Sequence, residues 1–91
     1  MAVAVLVELP GFTAAMYDAT VEEMGLGGRP PEGATYHVAG PYEGGWRVVD
    51  VWESREQFDQ FARDVMSPMV QKHGATSRPN IQIWDVHNEL K

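Results

Sequence analysis

The sequence predicts an α+β domain of order β-α-β-β-α-β. Three observations predict it: short apolar stretches that alternate like strands, two runs with helical spacing between them, and a Gly, Pro or capping residue at the boundaries. The clearest junction is Gly45-Trp46-Arg47-Val48-Val49-Asp50-Val51-Trp52-Glu53-Ser54-Arg55-Glu56-Gln57-Phe58, where an apolar strand runs straight into a capped amphipathic helix.

Met1 to Leu9 resembles the apolar part of a signal peptide, yet it lacks a basic n-region and a plausible cleavage context, so a buried first strand explains it better. Pro10-Gly11 ends that strand. Thr13 can cap a helix running to about Met24, with Met16, Tyr17, Thr20, Val21 and Met24 as its inner stripe and Asp18, Glu22 and Glu23 mostly outside. The Gly- and Pro-rich stretch from Gly25 to Gly33 reads as a surface loop, with the capacity to act as a mobile lid.

Thr35 to Gly40 forms the second strand, and the loop Gly40 to Gly45 turns it back into the third, Trp46 to Glu53. Side chains alternate along a strand, so Trp46, Val48, Asp50 and Trp52 share one face and Arg47, Val49, Val51 and Glu53 the other. Ser54 fits a helix N-cap, and Gln57 completes a capping box that would satisfy two orphan amides. Phe58, Phe61, Ala62, Val65, Met66 and Met69 then follow i, i+3, i+4, i+7 spacing. Asp59 and Arg63 are spaced for an exposed i, i+4 ion pair. Pro68 is expected to kink or break this helix after Ser67, and Gly74 to stop it. Asn80 to Asn88 is the last strand, containing Gln82-Ile83-Trp84-Asp85-Val86-His87.

At 91 residues the whole chain, 1–91, reads as a single domain, close to the size at which one core gives a modest margin of stability. There is no cysteine, hence neither a disulfide framework nor thiolate chemistry. Seven Lys and Arg against thirteen Asp and Glu give a net charge of −6, which opposes nucleic acid and anionic membrane as partners. No run approaches the roughly 20 apolar residues that span a bilayer, so a cytoplasmic location is expected.

This order is the split-βαβ pattern of ferredoxin-like folds, a four-stranded antiparallel sheet with two helices on one face. Two helices cannot cover the other face, yet strands one and three are apolar on both. The open face is therefore expected to pack against an identical sheet in a twofold homodimer.

At Asp50-Val51-Trp52-Glu53-Ser54-Arg55-Glu56-Gln57-Phe58 the chain resembles the dimeric α/β-barrel superfamily, and within it the antibiotic-biosynthesis-monooxygenase-like proteins with their strand-three Trp-Glu-Ser followed by a helix. Pro10-Gly11-Phe12-Thr13 and His37-Val38-Ala39-Gly40-Pro41 also look like small actinobacterial members with no assigned activity. The resemblance implies the fold; the superfamily's activities range over cofactor-independent oxygenases, haem-degrading enzymes, lactone isomerases and polyketide cyclases. Haem-degrading members resemble this chain at Trp52, but they also use a strand-one Asn and a His about ten residues past the tryptophan. Apolar or acidic residues and Ala62 hold those places here, which disfavours haem degradation.

A cofactor-free oxygenase must deprotonate an electron-rich phenol or anthrone, so that the anion can pass an electron to O2. That requires a base, donors for the oxyanion and an apolar pocket. His37 and Asp50 are the candidates for base and orienting partner. If Ala39 pairs with Trp46, His37 lies opposite Val48 with Asp50 and Trp52 on the same face; a slip of one residue would turn it away. A strand histidine at a dimer contact is equally ordinary. Asp50, flanked by valines, is either paired with Arg47, His37 or a backbone donor, or is functional.

Trp46, Trp52 and Trp84 are more often core or interface than pocket, and Trp52 ranks first of the three as a ligand contact. Tyr17, Met16, Phe58, Phe61, Met66 and Met69 lie on inner helix faces, where packing is the default, although a pocket between helices and sheet would have the same walls. Such walls suit a flat, apolar or aromatic small ligand. His87 falls near a sheet end, where a cap or dimer contact competes with a role in binding.

His37, His73 and His87 show no metal-ligand spacing, Gly25, Gly27 and Gly28 form no phosphate loop, and Ser54, Ser67 and Ser77 lack a nucleophile elbow. Neither metal nor cofactor is expected. Three functions fit: a cofactor-independent monooxygenase-like enzyme of secondary metabolism acting on an aromatic or polyketide-like substrate, an isomerase or cyclase using the same pocket without O2, and a non-catalytic ligand-binding or structural dimer.

Overall fold

The computed structural model describes residues 1–90. Strand β1 (Val3–Pro10) is followed by helix α1 (Ala14–Met24), strands β2 (Ala34–Tyr42) and β3 (Gly45–Trp52), a helical stretch in three parts, and strand β4 (Asn80–Asp85). The sheet is antiparallel with order β2-β3-β1-β4, the ferredoxin-like arrangement expected from the element order.

β1 is central because it can bury both faces. Val3, Val5, Val7 and Leu9 point to the helices and are buried with Val48, Trp52, Phe58, Met66 and Val70. Ala4 and Leu6 point the other way. Thr13 caps α1 by accepting from the Met16 amide at 3.2 Å, and Gly25 closes it in the left-handed conformation with its N–H on the Glu22 carbonyl.

The β2–β3 hairpin is tighter than expected. Both strands reach to Tyr42 and Gly45, so Ala39 pairs with Val48 and not with Trp46, and His37 pairs directly with Asp50. The displacement is two residues, an even number, so each side chain keeps its predicted face. A register shift between Ala34 and Tyr36 marks the start of β2.

The second helical stretch departs further from expectation. It comprises α2 (Arg55–Phe61), a π-helical turn (Ala62–Met66) and α3 (Ser67–Lys72). Pro68 therefore does not end the helix after Ser67. In the widened turn the Ser67 N–H reaches the Ala62 carbonyl, a bond to the fifth residue back, and the chain passes the proline with helical dihedrals at Met66 and Ser67. Val70 joins the buried stripe, and the helix stops before Gly74 as predicted.

Three local expectations are corrected. Asp59 pairs with Arg55 at 3.7 Å, while Arg63, carried round by the π turn, pairs with Asp64 at 3.4 Å. Ser54 caps α2 by accepting from the Gln57 amide, but the Gln57 side chain bonds the Ser54 hydroxyl and Glu53, so one orphan amide is satisfied instead of two. β4 ends at Asp85, short of His87; the Val86 N–H still reaches the Ala2 carbonyl at 3.0 Å.

Candidate functional site

The hairpin register sets His37 opposite Asp50, and α1 lays Tyr17 over them from the helix layer. A continuous chain of hydrogen bonds results: Tyr17 Oη to His37 Nε2 at 2.5 Å, and His37 Nδ1 to Asp50 Oδ1 at 2.5 Å. The second Asp50 oxygen accepts from Trp52 Nε1 at 3.2 Å. Asp50 is only 4% exposed, so these partners offset the cost of placing a carboxylate between apolar strands. Arg47, an alternative partner, lies on the opposite face, bound to Glu8 and stacked over Tyr42.

Burial, together with the nearby carboxylates of Asp50 and Asp18, raises the Tyr17 pKa above its ordinary value. The phenol is thus a neutral donor at physiological pH. Its O–H donates to His37 Nε2, which assigns the imidazole proton to Nδ1, where it is donated to Asp50. Nε2 is the basic atom of the chain. The arrangement can accept a proton at His37 and stabilise the resulting imidazolium through Asp50.

Tyr17, His37 and Asp50 line a cavity of about 270 Å³ between α1, the sheet and the π-turn region. Its other walls are apolar: Val7, Leu9 and Val48 from the sheet, Val21 and Met24 from α1, and Phe61, Met66 and Val70 from the second helical stretch. Thr20 also faces it, but its hydroxyl is bonded to the Met16 carbonyl at 2.8 Å. Leu26, Gly28, Arg29, Pro30 and Pro31 supply the remaining wall, so the α1–β2 loop flanks a space that stays partly open to solvent.

The structure brings together five of the sequence-derived candidates: His37, Asp50, Tyr17, Phe61 and Met66. Trp52 and Phe58 are fully buried in the core beneath, in edge-to-face contact at 5.7 Å, and do not line the space. Trp46 packs against Tyr17 at 5.2 Å without lining it, and its buried Nε1 has no hydrogen-bond partner. His87 is exposed beyond the end of β4, outside the cavity wall. The loop at 25–33 is anticipated as a candidate lid, but its lining residues Leu26, Gly28, Arg29, Pro30 and Pro31 are not among the sequence-derived candidates. Its signal was the density of Gly and Pro between α1 and β2, which reads as a turn-rich loop without revealing which way the loop folds.

No family model matches the chain, and comparison with curated proteins finds no match. Solved structures do match along almost the whole length. A protein of unknown function from Nitrosomonas europaea superposes with a TM-score of 0.72 at 18% identity, over 99% of this chain and 93% of its own. SnoaB, a cofactor-independent oxygenase from Streptomyces nogalater, gives 0.61 at 14% identity, over 98% and 95%. A candidate antibiotic biosynthesis monooxygenase from Deinococcus radiodurans gives 0.58 at 9% identity, over 100% and 97%. Similarity at these identities establishes the fold, which is that of the antibiotic-biosynthesis-monooxygenase-like proteins. Among the described residues, no helix is long and apolar enough to cross a membrane.

Proposed function

We propose that this chain is a cofactor-independent monooxygenase-like enzyme acting on an aromatic or polyketide-like substrate held in the 270 Å³ cavity. The observation that carries the reading is the Tyr17-His37-Asp50 chain on the wall of an otherwise apolar space. In this reading the substrate's acidic C–H or O–H reaches His37 Nε2 in exchange for the Tyr17 hydroxyl, which then donates to the developing oxyanion. Asp50 holds the imidazole orientation. The substrate anion passes one electron to O2, the radical pair combines to a peroxide, and the peroxide takes back the proton from His37. Loss of water from an anthrone-type hydroperoxide leaves a carbonyl, so one oxygen atom enters the product and the other leaves as water. The apolar walls shield the radical pair from solvent.

Shared fold with an oxygenase supports this reading alongside the geometry. A cytoplasmic location, a place in secondary metabolism and kinship with small actinobacterial proteins belong to the same proposal, as does a homodimer through the open sheet face. One feature favours a second reading: the proton chain contains both an acceptor and a donor and makes no demand for O2, which suits an isomerase or cyclase equally.

The deciding measurement is O2 uptake by the purified protein with a panel of anthrones and hydroxynaphthalenes. Uptake by the parent, reduced about 10²–10⁴-fold in folded His37→Ala and Asp50→Asn variants, is the expected result. Turnover that proceeds unchanged without O2 would identify the isomerase or cyclase. Tight binding with neither uptake nor turnover would leave a non-catalytic binder.

A further inference from the structure

Arg29 and Arg78 are the Lys and Arg side chains among the described residues that no carboxylate engages. Arg47, Arg55, Arg63 and Lys72 are each engaged by a carboxylate. Arg29 makes no ion pair among the described residues, although the chain carries thirteen Asp and Glu. It is also the one Lys or Arg among the described residues that line the cavity. Its backbone is positioned on both sides: the Arg29 N–H bonds the Leu26 carbonyl at 3.3 Å, and Pro30 and Pro31 follow directly, with Pro31 buried. Two consecutive prolines fix the φ angles directly after Arg29, while the arginine side chain itself is exposed and free to turn toward a ligand.

We propose that Arg29 selects a substrate bearing a carboxylate, so that the ligand is an anionic aromatic or polyketide-like phenol and not a neutral one. The inference rests on the cavity reading above and adds the ligand's charge class to it. A net charge of −6 and the carboxylate of Asp50 both repel an anion. A cation at the cavity wall offsets that repulsion locally, and a guanidinium presents a planar fork that matches a carboxylate with two parallel hydrogen bonds. The phenolic end of the same ligand is left to Tyr17 and His37. The cavity falls just below the usual size range for ligand pockets, which confines the apolar body to a small fused-ring system.

Calorimetric titration with a hydroxynaphthoic acid and with its methyl ester tests this without requiring turnover. The parent is expected to bind the acid at least about tenfold more tightly than the ester, the scale of one charge-assisted contact. Arg29→Met should collapse the acid-to-ester ratio toward one, and Arg29→Lys should retain part of it. Arg78→Met removes the same charge from a residue outside the cavity wall, and should leave the ratio intact. Comparable binding of acid and ester by the parent, or a ratio that survives Arg29→Met, would overturn the role of Arg29 while leaving the cavity reading standing. A ratio lost equally in Arg78→Met would reduce the effect to overall charge and overturn it too. Binding of neither compound would remove the cavity reading and this inference together.

Discussion

Tyr17 carries two jobs on one hydroxyl. It donates to His37 Nε2, and its burial beside Asp50 and Asp18 keeps that proton in place above the usual range for a phenol. Because the folded pKa is raised, the stabilisation from the neutral phenol is fully present below the unfolded value near 10 and is lost as pH climbs through the higher folded value. Tyr17→Phe keeps the ring and removes the donor. At neutral pH the variant should be less stable by about 0.5–1.5 kcal/mol, the net worth of one hydrogen bond. That deficit should shrink from about pH 10 upward. Urea denaturation of both proteins at about pH 7 and pH 11 measures it, and a deficit that grows at alkaline pH would contradict the assigned bond. How far these residues were legible follows from parity. His37 and Asp50 fall on one face once Ala39 is paired with Trp46; the true pairing differs by two residues, and an even error in register leaves faces unchanged where an odd one would have turned His37 away. The Tyr17 bond and the Trp52 indole on Asp50 depend on how α1 and the ring of Trp52 settle in three dimensions, which no local spacing encodes.

Among the elements, the two helical stretches meet at their C-terminal ends through one exposed carboxylate. Glu23, near the end of α1, accepts from Lys72 Nζ at 2.8 Å and His73 Nε2 at 2.9 Å at the end of α3. The hydrogen bond from Lys72, then that from His73, holds the Glu23 carboxyl below its ordinary value. A depressed folded value means the contribution is present above the unfolded pKa near 4.5 and is lost as pH falls through the folded one. Glu23→Gln should therefore be less stable than the parent at neutral pH and should lose less of its stability on acidification. Chemical denaturation at neutral pH and at a pH below the folded value compares the two, and identical acid profiles would show that the clamp contributes nothing. The helix that carries Lys72 also shows where sequence periodicity stops being sufficient. Phe58, Phe61, Ala62, Val65 and Met66 announce its inner face, and Pro68 announces an interruption. A proline can be met by ending the helix or by widening the turn before it. The apolar residues beyond, Met69 and Val70, gain burial only if the helix continues.

On the scale of the molecule, the sheet surface opposite the helices is arranged in rows. Pairing across the strands sets Tyr36, Val51, Ala4 and Trp84 in one row and Val38, Val49, Leu6 and Gln82 in the next. The third row, Gly40, Arg47, Glu8 and Asn80, is polar and holds the Arg47–Glu8 ion pair. Tyr36 and Trp84 are each 50% exposed and Val38 is 44% exposed, so two adjacent rows form one apolar patch bordered by charge on one side. This is the pattern of an apolar interface centre with a polar rim, and it fits the proposed homodimer. Trp84 is the most informative position, since it lies on the face away from the helices, half-exposed in the single chain, and the proposed contact would cover it. The parent should sediment at twice the chain mass at micromolar concentration, and its denaturation midpoint should rise with protein concentration, as linkage to association requires. Trp84→Glu sets a carboxylate in the first apolar row, and should sediment as a single folded chain with a midpoint independent of concentration. A parent that stays folded and monomeric at micromolar concentration would leave the two apolar rows without the partner proposed for them. A Trp84→Glu protein that remains dimeric would move the interface off this face, because a buried unpaired carboxylate at its centre is incompatible with tight packing there.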